Sequence, residues 1–320
     1  MTSILELKDL KTYFTTNRGT VKAVDGVNLK LEEGDSLGLA GESGCGKTTT
    51  ALSVMRLLPN NGRIVNGEIL FKGKNLLEVD DESYRKEYRW KELSIIFQGA
   101  MNSLNPVFRV GEQITQAIHT HEEIPKEEAW DRVEKLFTMV GINPARAKDY
   151  PHEFSGGMKQ RAMIALALAC NPSFVVADEP VTALDVIVQA QILELLRNLR
   201  KELGLSMIMI THDLSVIADT CNKAAIMYAG HLVETANVEQ LFLNPSHPYS
   251  QGLLANYPSL RGEKKGFTPI KGRPPNLLAP PLGCRFNPRC PFVNEGCKSE
   301  TPKLVEIEKG HYVACHRMKR

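Results

Sequence analysis

Apolar and polar side chains alternate along residues 4–14 and again along 23–31, which predicts half-buried strands in an antiparallel layer. The period then changes. Residues 36–40 are a short apolar run entering a glycine-rich turn, and 48–58 carries helical spacing up to Pro59, so this stretch reads strand, loop, helix. Further apolar strands are predicted at 68–71, 94–97, 173–177, 206–210 and 224–228, separated by helix-patterned segments. That alternation predicts an α/β fold with a mostly parallel sheet covered by helices. Between Val107 and Cys170 strand signals vanish, and 127–140 spaces its apolar residues as a helix does, which reads as an inserted helical subdomain. After about Glu234, prolines at 245, 248, 258, 269, 274, 275, 280 and 281 interrupt every long element. Three parts are therefore expected: a core from 1–106 and 171–234, a helical subdomain at 107–170, and a C-terminal extension at 235–320.

Composition narrows the class of function. Lys and Arg number 39 against 37 Asp and Glu, a formal charge of +2 that does not advertise nucleic acid as a partner. The N-terminal residues lack the basic start and apolar stretch of a secretory signal, so no export is expected. The longest apolar run, near 163–170, falls far short of the ~20 residues a bilayer-crossing helix needs. Of the seven cysteines, Cys45, Cys170 and Cys221 are scattered, whereas Cys284, Cys290, Cys297 and Cys315 crowd the final segment. An odd count without an export signal favours a reducing compartment and a local metal site over a disulfide framework.

Residues 41–48 read Gly-Glu-Ser-Gly-Cys-Gly-Lys-Thr, a phosphate-loop pattern set between a strand and a helix. Gly41, Gly44 and Gly46 let backbone N–H groups, with those of Glu42, Ser43, Cys45 and Thr49 beside them, turn toward phosphate oxygens. The helix N-terminus adds partial positive charge, Lys47 reaches the β and γ phosphates of ATP, and Thr48 holds Mg²⁺. A second site follows where the apolar run 174–177 ends in Asp178 and Glu179. Asp178 is placed to orient Mg²⁺, and Glu179 to polarise the water that attacks the γ-phosphate.

Ser155, Gly156 and Gly157 before a helical run would alone suggest only an N-cap, and a lone Gln98 or His212 would suggest nothing. In this order, with Asp185, they resemble the ATP-binding cassette (ABC) superfamily over most of 5–234. The resemblance implies that Ser155, Gly156, Gly157 and Asp185 act in trans on ATP held by another subunit. It implies that Gln98 senses Mg²⁺ and the attacking water, and that His212 contacts the γ-phosphate. It also implies an aromatic stacked on adenine; spacing favours Phe14, with Tyr13 the alternative, since adjacent residues of a strand face opposite ways.

Segments 97–106, 154–161 and 244–249 look like the dipeptide, oligopeptide and nickel permease ATPases. This implies an importer working as a dimer, with a related partner or a second copy. It further implies two integral-membrane permease subunits, an extracytoplasmic binding protein and a peripheral place on the cytoplasmic face. A soluble ABC protein acting on nucleic acid or ribosomes is the competing reading; the long coiled-coil insert or second cassette of such proteins is not present in the sequence. His247, Pro248 and Tyr249 read on their own as a rigid turn with an aromatic anchor. The four late cysteines lack the close pairs that structural zinc usually draws on, and four separated thiolates can each take one iron of a [4Fe–4S] cubane. Some peptide-permease ATPases carry such a centre; zinc and unligated thiols are the alternatives. Arg285 and Arg289 are expected to offset the cluster's charge.

Overall fold

The alternating N-terminal segments form the two longest strands, β1 (Ser3–Thr16) and β2 (Gly19–Glu32), joined by a turn at Asn17 and Arg18. This computed structural model describes residues 3–97, 99, 103–255 and 270–318. The chain continues through β3 (Ser36–Ala40), α1 (Lys47–Val54), β4 (Gly62–Phe71), β5 (Lys74–Asn75), α2 (Asp81–Ser83) and β6 (Leu93–Ile96). Three helices follow, α3 (Val110–His121), α4 (Lys126–Met139) and α5 (Gly156–Ala167). Strands and helices then alternate as β7 (Phe174–Asp178), α6 (Val186–Leu203), β8 (Ser206–Ile210), α7 (Leu214–Thr220) and β9 (Lys223–Tyr228). The C-terminal part adds β10 (His231–Asn237), α8 (Val238–Leu243), α9 (Pro248–Ala255), α10 (Glu295–Ser299), β11 (Val305–Glu308) and β12 (His311–Val313).

These elements divide into two units. The first comprises residues 32–34 and 76–209. In it β6 and β7 pair in parallel, Leu93 opposite Phe174 and Ile96 opposite Ala177, and β8 lies on the other side of β7. All five residues of β7 are buried, as an apolar strand covered on both faces requires. The helices show the spacing that buries one stripe: Val133, Leu136 and Phe137 in α4, and Ile192, Leu196 and Leu199 in α6. Asp185 caps the start of α6 by accepting the Val188 N–H, and Gly204, at φ 66°, ends it in the left-handed conformation that glycine adopts without steric cost.

The second unit comprises the described residues among 3–31, 35–75 and 210–318. One sheet in it has the order β2-β1-β4-β5, with β1 antiparallel to β4 from Leu5 opposite Phe71 to Phe14 opposite Gly62. A second set of strands has the order β11-β12-β10-β9-β3; β3 and β9 are parallel, and β10 is antiparallel to both β9 and β12. Ile217 of α7 packs so closely on β3 that a Cβ on Gly38 would stand 2.3 Å from its Cγ2. Ala40, Ile217, Ile226, Tyr228, Val233, Leu241, Tyr249 and Phe286 form one buried cluster. Residues of the proline-rich extension thus share a core with β3, β9 and β10.

Several features depart from the pattern-based expectation. Strand β4 begins at Gly62, six residues before the expected start at 68. Helix α1 stops at Val54, four residues short of the predicted Leu58, because Arg56 takes a positive φ of 49° and reverses the chain before Pro59 is reached. Strands β5, β10, β11 and β12 were not predicted; β5 is two polar residues and β12 three residues, too short for a period, and the alternating Val-Glu-Ile-Glu of β11 is a single four-residue stretch in a proline-rich region. Among the described residues no helix is long and apolar enough to cross a membrane.

Candidate functional site

The five buried residues of β3 deliver the chain to Gly41, where the phosphate-loop pattern begins. The backbone there demands glycine. At Gly41 φ is 147°, and a Cβ would lie 2.2 Å from the Met227 carbonyl oxygen; at Gly46 φ is 109°, and a Cβ would lie 2.3 Å from the Ala23 carbonyl oxygen. Gly44 also has a positive φ, 77°. No side chain caps α1 at Gly46, so the first N–H groups of the helix remain directed outward, the arrangement that binds anions. Lys47 is buried, and its Nζ donates to the carbonyls of Gly41 at 2.7 Å and Glu42 at 3.2 Å, with Cys45 Sγ at 3.7 Å. Ser43 and Thr48 are exposed, and Thr49 is half-buried. Burial pushes the Cys45 thiol up, against the pull of neighbouring Lys47.

The second unit also contains His212 and the candidate adenine-stacking pair. His212 stands exposed two residues past the end of β8, and the next residue, Asp213, caps α7 by accepting the Ser215 N–H. Tyr13 and Phe14 have different neighbours. The Phe14 ring lies on Gly62, where a Cβ would meet its Cε1 at 2.7 Å. The Tyr13 hydroxyl donates to Asp25 Oδ1 at 2.7 Å, and burial together with that carboxylate pushes it up to about 12. Asp25 also receives the Arg285 guanidinium, and despite its burial the hydrogen bonds and charges around it hold its carboxyl well below the usual range.

In the first unit, Asp178 ends β7 with 4% exposure and Glu179 follows at a positive φ of 46°, a conformation a non-glycine residue adopts only under constraint. Glu179 Oε2 accepts from Thr182 Oγ1 at 3.0 Å. Ser155 caps α5 by accepting the Met158 N–H at 3.3 Å. Gly157, in the first turn of that helix, approaches α6 so closely that a Cβ would stand 2.8 Å from Val188 Cγ1. The start of α5 and the start of α6, where Asp185 sits, are therefore neighbours. Gln98 and Asn102 lie outside the described residues.

Sequence reasoning missed the contacts that hold the loop from behind. The Glu42 N–H donates to the buried Tyr249 hydroxyl at 2.9 Å, and the Glu42 carboxylate is forked by Arg289 at 2.7 and 3.0 Å. The only signal was the His247–Tyr249 turn, whose aromatic was expected to anchor something unspecified. Arg285 and Arg289 do not serve the thiols as expected: their guanidinium groups go to Asp25 and to Glu42, and Arg317 is the cation that opposes part of the burial-driven rise of Cys290 and Cys315.

All four late cysteines are free thiols. Burial raises Cys284 to about 11 and also raises Cys290 and Cys315, and neighbouring cysteines add to the rise at each of these three. At three of them the backbone N–H two positions on favours the thiolate and opposes part of this rise: that of Phe286 at Cys284, Phe292 at Cys290 and Arg317 at Cys315. Among the described residues, no three His, Cys, Asp or Glu side chains converge closely enough to hold a single metal ion.

Comparison with known proteins adds the following. Residues 24–182 match the family described as ABC transporter, and 233–297 match that described as oligopeptide/dipeptide transporter, C-terminal region. The chain is 46% identical over 318 residues to the probable peptide ABC transporter ATP-binding protein y4tR of Sinorhizobium fredii, covering 98% of this chain and 95% of the relative. It is 46% identical over 317 residues to the oligopeptide transport ATP-binding protein OppD of Escherichia coli, covering 98% and 93%. Among solved structures it resembles the ATP-binding cassette MJ0796 in a dimeric post-hydrolysis state bound to ADP and Pi. There the TM-score is 0.65 and the identity 26%, over 73% of this chain and 98% of that one.

Proposed function

Because this chain belongs to the ABC transporter ATP-binding proteins of the oligopeptide/dipeptide family, we propose that it hydrolyses ATP to drive a peptide importer, through the residues described above. The observation that carries this reading is the loop at 41–48: three left-handed glycines, an uncapped helix start and a buried lysine converge on space that suits a chain of phosphates. Backbone N–H groups of Gly44 to Thr49 bind the phosphate oxygens, and Lys47 leaves the Gly41 and Glu42 carbonyls for the β and γ phosphates. Phe14 stacks on adenine, since the Tyr13 hydroxyl is committed to Asp25. Thr48, Gln98 and Asp178 hold Mg²⁺; hydroxyl, amide and carboxylate oxygens are the donors that ion prefers, and it neutralises phosphate charge. Glu179 orients the attacking water and His212 contacts the γ-phosphate.

Ser155, Gly156 and Gly157 present the start of α5 to ATP bound by a second ABC subunit, with Asp185 at the same interface, so that nucleotide joins two subunits and its cleavage releases them. Two permease subunits in the membrane convert that closure into transport, with cargo delivered by an extracytoplasmic binding protein. The chain acts from the cytoplasmic face. Replacing Glu179 by Gln tests the assignment: Mg-ATP should then bind and hold a stable dimer while turnover falls at least about a hundredfold. Undiminished turnover in E179Q would remove Glu179 from the role of base.

Cys284, Cys290, Cys297 and Cys315 are the ligands of a [4Fe–4S] cluster in this reading. Support comes from the sequence spacing of the four cysteines, which has none of the close pairs that structural zinc usually draws on, and from backbone N–H groups that favour the thiolate at Cys284, Cys290 and Cys315. Such a cluster supplies cross-linking that a proline-rich segment with a small core lacks.

A further inference from the structure

Arg289 lies in the C-terminal segment, one residue before Cys290, yet its side chain is 5% exposed and points at the phosphate loop. Its Nη1 and Nη2 donate to Glu42 Oε2 and Oε1 at 2.7 and 3.0 Å, a bidentate charge-assisted pair. The remaining donors are also used: Nη1 to the Tyr228 hydroxyl at 3.2 Å, Nη2 to the Ile270 carbonyl at 3.4 Å, and Nε to the Lys271 carbonyl at 2.9 Å. The guanidinium carbon also stands 5.7 Å from the Tyr228 ring centroid, a cation–π placement. All five N–H groups of the fork therefore have acceptors, which a lysine could not reproduce.

What the fork holds is the second residue of the phosphate loop. Glu42 is fastened twice, through its carboxylate by Arg289 and through its N–H by the Tyr249 hydroxyl, and both partners come from the region beyond residue 245. The Glu42 carbonyl is also one of the two that receive Lys47 Nζ. Tilting the Glu42 peptide would move that acceptor and the N–H groups that follow it. A loop whose amides must all point at one ligand binds best when its backbone is fixed in advance, because less ordering remains to be done on binding.

We propose that Arg289 is a positioning residue of the ATP site, which sets nucleotide affinity by fixing Glu42 and with it the entrance of the phosphate loop. The C-terminal extension is in consequence part of the nucleotide site, and loosening the segment between Cys284 and Cys290 weakens ATP binding. This rests on the reading that residues 41–48 bind ATP.

The test uses full-length R289M, E42Q, the double variant and, as control, K298A, which alters an exposed pair in the same segment. Binding of a fluorescent Mg-ATP analogue, KM and kcat for ATP, and the melting midpoint without nucleotide are measured. R289M and E42Q should each raise Kd and KM about tenfold, the scale of a lost charge-assisted fork, with kcat within about twofold. The double variant should be no weaker than about twofold beyond either single one, since both remove the same contact. Unchanged Kd in R289M with a lowered melting midpoint would make Arg289 a structural residue only and overturn the proposal. Should R289M not fold, E42Q decides: Glu42 is more exposed and its replacement keeps the shape, so a Kd within about twofold of wild type overturns it equally. Wild-type protein that fails to bind the analogue would instead strike at the ATP-site reading itself.

Discussion

Acidification should destabilise the protein through His247. Its side chain is 1% exposed, and its Nδ1 accepts the Tyr249 N–H at 3.0 Å, which requires the proton of the neutral ring to sit on Nε2. Burial pushes this imidazole down to about 3 from its ordinary 6.5. The folded ring is therefore neutral across the range in which the unfolded one gains a proton. Since the unfolded state then binds more protons, stability falls as pH drops below about 6.5, by about 1.4 kcal/mol per unit, and the loss levels off near 3. At pH 7 the effect is nearly absent; at pH 5 it reaches roughly 2 kcal/mol. The carboxylate facing this turn is Glu234, fully buried, which accepts the N–H groups of Ser246 and His247 and contacts His311 Nε2 at 2.7 Å.

His247→Asn isolates this contribution. The Asn carbonyl can accept the N–H two residues on, as in an Asx turn, but does not titrate. Denaturant unfolding of wild type and H247N from pH 7.5 to 5 should show the variant weaker at neutral pH, by about 1–3 kcal/mol for lost packing. The gap should then close by roughly 2 kcal/mol at pH 5 as the wild type alone loses stability. A gap that stays constant within about 0.5 kcal/mol over that range would refute the reasoning, because all other titrating groups are common to both proteins.

Gly41→Ala should abolish Mg-ATP binding and lower the melting midpoint: its Cβ would stand 2.2 Å from the Met227 carbonyl oxygen at a φ of 147°, strain of at least about 1–3 kcal/mol. A variant that melts and binds as wild type does would show that the loop does not need this geometry. Protein purified without oxygen should contain about four iron and four sulfide per chain and absorb near ~400 nm, and C290S should lose both together with heat resistance. Zinc in place of iron would overturn the cluster assignment.

Periodicity carried much of the fold because the elements it names are buried on predictable faces. Strands β3, β7 and β8 are apolar at nearly every position since both faces are covered, and β1 alternates since one face is not. The same test gave little for β10 and β12. Glu234 sits in β10 fully buried, its carboxylate satisfied by two N–H groups and His311, so its burial depends on a polar network that hydropathy counts as exposed.

Local motifs made the phosphate loop legible for a related reason: its chemistry is carried by contiguous residues whose backbone needs, glycine at 41, 44 and 46, are written at fixed offsets. Nothing local announces what steadies it. Glu42 and Arg289 are 247 positions apart, and Glu42 and Tyr249 are 207 apart, so their meeting depends on tertiary packing around Tyr228 and Phe286. Prolines after Glu234 signalled an end to regular structure, yet prolines interrupt helices without preventing burial. Tyr249 is fully buried and Phe286 nearly so, with ring centroids 5.4 Å apart, and that contact brings both the phenol and the neighbouring arginines up to the loop. A segment that cannot form long elements can still deliver a few side chains to a site, provided its aromatics are anchored in the core the site is built on.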